Sequence, residues 1–514
     1  MFEFTHTAAF NSIKSWLKLR ALRTFLISAA ILGFAVPTLA DPLQFFPGPF
    51  GFHGDDSRFV RGVLAVSRIA YDGNTFGSPE KYPFIFDDPN ISGILGSVHI
   101  DQCLPLPGLP LIDTLPLSGL ATSFSSKSEG ALMPSPSGAF LAYMGYQGPI
   151  GAQGVSNSYT TGPGTNLQPP VTPTYDREVA LIKADGTVTL QNESNAYSGD
   201  NPRAAITVDG TQFYMVGNSD STTFKTGCPG GASSCGPGLT IGARIGAPGS
   251  NVSNQLGIYA AADRPDESVK QHVKDNNFRG VGIYNGNLYV SKGSGGNGDD
   301  GVFQVLMGNS NGLPTGTGNT IVELFGSPAT DGNHNPSPYT PFGFFFANPT
   351  TLYVADEGLA TDPNGSLLPT PDPLAGLEKW VLVNGKWQLV YTLQDGLRLN
   401  QLQTIDGYPV QSATTGLRNM TGAINHDGSV TIYAVTAQFS SISGGEPDPT
   451  RLVTITDQIG ATKPWHDEEF ETLAVSRPGE VFRGVAFSPC ADAFNLYSDP
   501  NFVATAACSS GHRD

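Results

Sequence analysis

One phrase recurs along the chain, and it restricts the possible fold more than any other feature. Each copy has a short apolar stretch, a turn rich in Gly, Asn, Asp or Pro, and a second apolar stretch. The clearest copy is "RGVGIYNGNLYVSKGSG", in which alternating apolar residues flank an Asn-Gly turn and predict an antiparallel β-hairpin. The copies begin at Glu129, Arg203, Arg279, Phe342, Arg418 and, in truncated form, Arg483. These six residues are called the openers below.

The spacing of the copies predicts the architecture. Successive openers are 63 to 76 residues apart, which exceeds the roughly 40 to 50 residues of compact propeller blades, and loops rich in Gly, Pro, Ser and Thr account for the difference. Most copies are followed by two more strand candidates, and four antiparallel strands repeated around an axis are typical of a β-propeller. An array of β-sandwiches is the alternative, but it predicts no phrase shared at regular intervals.

The last copy has one strand before the chain nearly ends. The missing three strands are available near the N-terminus, at 63–73, 96–102 and 111–117. We therefore predict an all-β chain forming a single β-propeller of six four-stranded antiparallel blades, closed by pairing of the N- and C-terminal strands. Such pairing leaves no open sheet edge. Seven blades are the alternative if the stretch 221–250 contains one.

Composition agrees with turn-rich β structure, because the chain has 62 Gly, 40 Pro and only 14% charged residues. Residues 1–40 combine basic residues with an apolar segment that ends in small residues, which predicts a secretory signal peptide followed by a propeller domain at 41–514. An uncleaved anchor is the alternative. We expect a secreted or periplasmic monomer. Without residues 1–40 the net charge is −20, which disfavours nucleic acid and anionic membranes as partners.

The five cysteines all follow the signal segment. In an oxidising compartment Cys228 could pair with Cys235, and Cys490 with Cys508, which leaves Cys103 over. No Cys-x-x-Cys pair is present, so a zinc site built from cysteines is not expected.

The openers also predict a binding site. In a propeller, the first strand of each blade starts at the end of the channel where the blades are connected, so the openers should surround its mouth. We predict that Arg203, Arg279, Arg418 and Arg483 bind an anionic small molecule or an acidic glycan, with Lys127 and Lys292 as further donors. The alternative is a purely structural ring, in which acids a few residues upstream pair with the arginines; the candidates are Asp200, Asp275 and Glu480.

Two further predictions concern acidic residues. Gly-rich loops at the same end carry Asp299, Asp300, Asp356 and Glu357, whose oxygens suit Ca²⁺, although solvated acidic turns are the alternative. Glu129 is the acid among the openers and is the candidate catalytic residue. We expect the neighbouring guanidiniums to lower its pKa, which suits an electrostatic stabiliser or a metal ligand.

Several phrases carry a resemblance over nearly the whole mature chain, among them "FRGVGIYNGNLYVSKGSGGNG", "PFGFFFANPTTLYVADEG" and "GEVFRGVAFSP". They resemble those of a family of secreted bacterial β-propeller proteins. This resemblance implies the propeller fold and brings no catalytic residue with it. The predicted architecture is also similar to that of six-bladed phytases and lactonases, but no phytase-type acidic strand motif occurs, so that likeness concerns the fold alone.

Three classes of function remain open from the sequence. The first is a secreted module that binds an anion at the channel mouth. The second is a Ca²⁺-assisted hydrolase or lyase that uses Glu129 and the acidic loops. The third is a structural or adhesion protein in which the arginines only hold the blades together.

Overall fold

The computed structural model describes 17 stretches of the chain: 58–70, 94–123, 128–152, 155, 175–193, 197, 201–217, 239–241, 278–293, 300–307, 310–314, 320–326, 339–359, 366–404, 411–440, 450–477 and 479–490. They all fall within one compact unit that spans 53–514. Every regular element in them is a β-strand, so the all-β class is confirmed. None of these stretches contains a helix long and apolar enough to cross a membrane. The predicted signal segment 1–40 lies outside them.

The strands form antiparallel sheets, which we number by their first strands along the chain, beginning with the sheet that joins the two ends. Sheet 1 contains β24 (Glu480–Phe487), β1 (Leu64–Ala70), β2 (Leu95–Cys103) and β3 (Leu111–Ser123). Sheet 2 contains β4 (Leu132–Pro134), β5 (Phe140–Tyr146), β6 (Arg177–Lys183) and β7 (Val188–Glu193). A single residue pair, Ala121 with Tyr146, joins sheets 1 and 2.

The next two sheets follow in the middle of the chain. Sheet 3 contains β8 (Pro202–Thr207), β9 (Phe213–Gly217) and β10 (Leu239–Ile241). Sheet 4 contains β11 (Phe278–Tyr284), β12 (Asn287–Lys292), β13 (Gly301–Leu306) and β14 (Thr320–Gly326).

The last two sheets are the most completely described. Sheet 5 contains β15 (Pro341–Asn348), β16 (Thr351–Asp356), β17 (Gly376–Val383) and β18 (Lys386–Leu393). Sheet 6 contains β19 (Gln403–Thr404), β20 (Gln411–Ile424), β21 (Ser429–Ser440), β22 (Arg451–Gln458) and β23 (Glu471–Val475).

The chain ends share sheet 1, as the sequence analysis expects. Strand β24 pairs with β1 from Leu64 opposite Phe487 to Ala70 opposite Glu480. Strands β2 and β3 then complete the sheet. The three strands that the last repeat lacks are therefore supplied from the N-terminal part of the chain.

The first strands of the sheets contact one another in cyclic order. Strand β4 contacts β8, β8 contacts β11, β11 contacts β15, β15 contacts β20, β20 contacts β24, and β24 contacts β4. Neighbouring sheets also pack through buried apolar clusters, including one between sheets 6 and 1 that contains Leu64, Val435 and Val485. The number of blades stays a prediction, because residues 221–250, where a seventh was considered, lie almost entirely outside the described stretches.

Sheet 3 departs from the strand assignment that its sequence suggests. The stretch "QLGIYAA" at 255–261 is the expected third strand, but it lies outside the described residues. Instead, Leu239–Ile241 pairs with β9. This segment follows a Gly- and Cys-rich stretch and is only three residues long, so its apolar pattern is too short to distinguish from a loop.

The two cysteines in the described stretches differ in state. Cys103 is a buried free thiol, and burial raises its pKa to about 12. Cys490 is disulfide-bonded. Its predicted partner Cys508, like Cys228 and Cys235, lies outside the described residues.

Candidate functional site

Five of the six openers interrupt the strand pairing of their sheets, whereas Glu129 precedes β4 and lies outside a strand. In β11 the register shifts between Phe278 and Val281, so that Arg279 and Gly280 lie opposite the single residue Ser291. Four other first strands shift register at or beside Arg203, Phe342, Arg418 and Arg483. A β-bulge bends the strand and re-aims a side chain. The bulges therefore give these five openers a direction different from that of the regular strand residues, and they do so at the cyclic contact between first strands.

Glycines next to the openers allow this close contact. A Cβ atom on Gly280 would overlap with the carbonyl oxygen of Phe342 in the neighbouring first strand, and one on Gly343 would lie 2.6 Å from the carbonyl oxygen of Arg418. The backbone N–H of Gly280 donates to Ser291 Oγ at 2.8 Å, and the Ser291 hydroxyl donates to the Phe342 carbonyl. The bulged backbone is thus satisfied by a side chain that also fastens the next sheet.

Arg279 reaches across the cyclic array. Its Nη1 donates to Ser128 Oγ at 2.9 Å, although Ser128 belongs to the start of sheet 2 and sheet 3 lies between. The same nitrogen lies 3.8 Å from Glu357 Oε1, and the guanidinium lies over the Phe342 ring, 5.8 Å from its centroid. Arg279 is 6% exposed, and its Nε has no hydrogen-bond partner in the described part of the chain.

The Glu357 carboxylate lies closer to Arg418 than to Arg279. Arg418 Nε donates to Glu357 Oε2 at 2.9 Å. One carboxylate is therefore shared by two guanidiniums. Burial lowers the pKa of Arg279 and the charge of Arg418 adds to the effect, while Glu357 and Asp300 act in the opposite direction.

Arg203 and Arg483 complete the set of arginine openers. Arg203 Nη1 donates to the carbonyl oxygen of Phe278 at 2.9 Å, one residue before Arg279. Arg483 packs against Gly130, where an added Cβ would lie 2.7 Å from the Arg483 Cβ. Both arginines are 4% exposed. The structure thus brings all four arginine openers to the first-strand contacts. Arg279 and Arg418 lie beside Glu357, and the charge of Arg483 acts on Glu129.

Glu129 is held by three donors. Its carboxylate accepts hydrogen bonds from Tyr146 OH and Asn201 Nδ2, each at 2.6 Å, and from the backbone N–H of Ser123 at 3.0 Å. Burial raises the pKa of Glu129, and these bonds and the charge of Arg483 only partly offset the rise. The predicted lowering of this pKa is therefore wrong, because desolvation of a side chain that is 2% exposed outweighs the charge of Arg483. The catalytic role of Glu129 stays a prediction.

The acidic loop residues are placed in different surroundings. Asp356 is fully buried and accepts hydrogen bonds from the Thr340 N–H and hydroxyl, each at 2.8 Å, and from the Gly358 N–H at 2.7 Å. Its neighbour Glu357 faces the two arginines. Asp300 is partly buried, and Asp299 and Lys127 lie outside the described residues.

No group of three or more His, Cys, Asp or Glu side chains in the described stretches is arranged to hold a metal ion. Calcium stays a prediction, since part of the acidic loops falls outside these stretches. Lys292 is fully buried at the end of β12, where it is paired with Phe278 and Gly301.

Of the upstream acids, Glu480 lies in the described stretches, and it pairs with Arg68, which is not an opener. Glu480 accepts a hydrogen bond from Arg68 Nη1 at 2.9 Å, and Arg68 also binds Asp101 at 2.6 Å. This ion pair ties β24 to β1 and β2 within sheet 1. Asp200 and Asp275 lie outside the described residues.

Sequence reasoning missed several polar partners of the openers. Ser128, Asn201, Tyr146 and Ser291 provide the neutral contacts of the site, yet none of them occupies the opener position itself. The one available signal is proximity in sequence, since Ser128 directly precedes Glu129 and Asn201 precedes Arg203 by two residues.

Comparisons with known proteins add no family. No protein-family model matches the chain, and no curated protein matches it in sequence. Resemblance to a family of secreted bacterial propellers therefore stays a prediction.

Among solved structures, the ectodomain of the parainfluenza virus 5 hemagglutinin-neuraminidase matches at 10% identity with a TM-score of 0.35, covering 71% of this chain and 77% of that one. The same viral protein with the ligand DANA matches at 11% identity with a TM-score of 0.33, covering 71% of this chain and 84% of that one. An acylaminoacyl peptidase of Pyrococcus horikoshii matches at 9% identity with a TM-score of 0.22, covering 68% of this chain and 53% of that one. These similarities are too distant to support a function.

Proposed function

We propose that the protein binds the anionic group of a small molecule or acidic glycan beside Arg279, at the end of the cyclic array where the openers meet. We also propose that the protein is secreted or periplasmic. The observation that carries it is the pairing of Arg279. This nearly buried guanidinium donates its closest side-chain hydrogen bond to a neutral hydroxyl, and its nearest carboxylate, Glu357, lies 3.8 Å away and is bound more closely by Arg418.

Electrostatics supports an anion at this position. A buried guanidinium is costly unless a negative charge compensates it. Arg279 and Arg418 share one carboxylate, so a second negative charge would reduce their mutual repulsion. A carboxylate, phosphate or sulfate group can also accept the bidentate hydrogen bonds that an arginine fork offers.

Isothermal titration with phosphate, sulfate and galacturonate at low ionic strength tests the proposal. Arg279→Gln should weaken the tightest of these ligands at least about tenfold, the loss expected from one charge-assisted hydrogen bond. Arg477→Gln is the matched control, because it removes the same charge from an exposed arginine outside the site. Equal affinities for the two variants would contradict the proposal.

Two controls keep the outcome interpretable. Thermal unfolding of Arg279→Gln reports whether the variant is folded, and Arg279→Lys keeps the charge while removing the fork. Repeating the titration in EDTA separates direct anion binding from the calcium-assisted alternative: binding that survives EDTA supports the arginine site, and binding that disappears favours a metal-assisted one.

A further inference from the structure

Arg451 has no acidic partner in the described stretches. Arg451 begins β22 and is 9% exposed. Its Nη2 donates to the Leu397 carbonyl at 2.5 Å and to Thr414 Oγ1 at 2.6 Å, and its Nη1 donates to Thr472 Oγ1 at 3.3 Å. All three acceptors are neutral, and in the described part of the chain no carboxylate forms an ion pair with Arg451.

A charge of the same sign as that of Arg451 lies close to it. Arg398 directly follows Leu397, whose carbonyl Arg451 contacts, and its side chain is exposed. Burial lowers the pKa of Arg451 to about 10, and the charge of Arg398 adds to the lowering. Arg451 therefore remains charged at neutral pH beside another cation.

The segment that carries Arg398 is held in place. Arg398 has a left-handed backbone with φ of 52°, a conformation that is uncommon for a residue with a side chain. The backbone is fixed on both sides, by the Leu397 N–H on the Gln394 carbonyl at 3.0 Å and by the Asn400 N–H on the Thr414 carbonyl at 2.8 Å. Arg398 is thus positioned next to Arg451 by the fold, at some cost in backbone energy.

We propose that Arg398 and Arg451 form a second oxyanion-binding site on sheet 6, which takes a phosphate, sulfate or carboxylate group. A bound oxyanion supplies the negative charge that both guanidiniums lack. Arg398 provides the exposed donor and Arg451 the buried one, and the Thr472 hydroxyl, bound at the long distance of 3.3 Å, is a further donor within the site. This site does not depend on Arg279.

The test uses the full chain with Arg279→Gln, so that binding beside Arg279 does not obscure the second site. Inorganic phosphate, inorganic sulfate and galacturonate are titrated into this variant, into Arg279→Gln/Arg398→Asn, and into Arg279→Gln/Arg477→Asn. Asparagine removes the charge of Arg398 but tolerates the left-handed backbone, so the variant is expected to fold. The Arg477 substitution removes an exposed arginine outside the site.

We expect residual oxyanion binding in Arg279→Gln that weakens at least about tenfold on Arg398→Asn and changes less than about twofold on Arg477→Asn. The ligand that binds tightest identifies the group: phosphate or sulfate indicates a tetrahedral oxyanion, and galacturonate a sugar carboxylate. Absence of any binding in Arg279→Gln would overturn the proposal, as would equal affinities in the two double variants. Either result would leave Arg451 as a clamp that holds the segment 394–401 against sheet 6.

Discussion

Arg279 illustrates how single residues build the candidate site. Its surroundings determine how it is placed. The bulge turns its side chain, Gly280 allows the adjacent strand to approach, and Ser291 of the paired strand satisfies the displaced backbone. The charge itself is buried with little compensation, which is the pattern expected for a binding group rather than for a structural ion pair.

The close approach at Gly280 gives the first stability prediction. Gly280→Ala would place a methyl group against the Phe342 carbonyl and 2.8 Å from Ser291 Oγ. We expect it to lower the free energy of unfolding by about 2 kcal/mol or more, as overpacking does. Gly460→Ala is the control, because its added methyl meets no atom within 4 Å. Urea denaturation of both variants provides the measurement, and an equal effect would show that the first strands are not closely packed.

Glu178 gives a prediction on pH. It is 5% exposed, and burial together with the charge of Asp176 raises its pKa to about 7. Because this pKa lies above the usual value of a carboxyl, the group favours the folded state most below about pH 4 and loses that contribution as the pH rises to about 7.

Between pH 5 and pH 8 the wild type should therefore lose about 2 kcal/mol more of its unfolding free energy than Glu178→Gln loses. Glu471→Gln removes an exposed carboxylate and should keep the wild-type profile. A Glu178→Gln variant whose stability falls with pH as steeply as that of the wild type would contradict the assignment.

At the level of elements, sheets 5 and 6 are fastened by a buried ion pair. Lys379 of β17 donates to Asp457 of β22 at 2.9 Å, and both side chains are fully buried. Tyr391 donates to Asp457 at 2.6 Å, and Tyr353 donates to the same carboxylate. Repeated hydrophobic packing alone would allow sheets to slide, whereas this network fixes their relative position.

Removing one partner of this ion pair should be costly. Asp457→Asn removes the carboxylate that is bonded to the buried Lys379 ammonium and leaves only the charge of Glu468 acting on it. We expect a loss of about 3 kcal/mol in unfolding free energy. The exposed pair of Arg58 and Asp113, at 2.8 Å, is the matched comparison, and Asp113→Asn should cost less than about 1 kcal/mol. If chemical denaturation shows similar losses for the two variants, the network does not fasten the sheets.

The sequence predicts the hairpins better than it predicts the site. Alternating apolar residues and the Asn285-Gly286 turn directly encode β11 and β12, because strand period and turn chemistry are local. The bulges at the openers are not visible in that pattern, since they depend on the partner strand. The raised pKa of Glu129 also escaped prediction, because burial depends on the packing of several sheets.

At the level of the whole molecule, sheet 1 contains both the first and the last of the described strands. Strand β24 pairs with β1, and the Arg68 ion pairs with Glu480 and Asp101 reinforce this junction. Without β24, the backbone groups of β1 would form an open edge, which promotes association between chains.

Truncation tests this junction. A chain that stops after residue 479 lacks β24, and we expect it to self-associate and to unfold without cooperativity, as followed by light scattering and thermal melting. A synthetic peptide of residues 480–490 should reverse this self-association by pairing with β1. A truncated chain that melts like the full chain would show that β24 does not hold the ends together.

The central claim is that Arg279 holds an anion where the first strands meet. Crystals of the protein grown with selenate, a sulfate analogue, test it directly through the anomalous signal of selenium. The account predicts an anomalous peak within hydrogen-bonding distance of the Arg279 guanidinium that disappears in Arg279→Gln. Density in which Arg279 forms a close ion pair with a carboxylate of the protein, with no peak beside it, would contradict the claim.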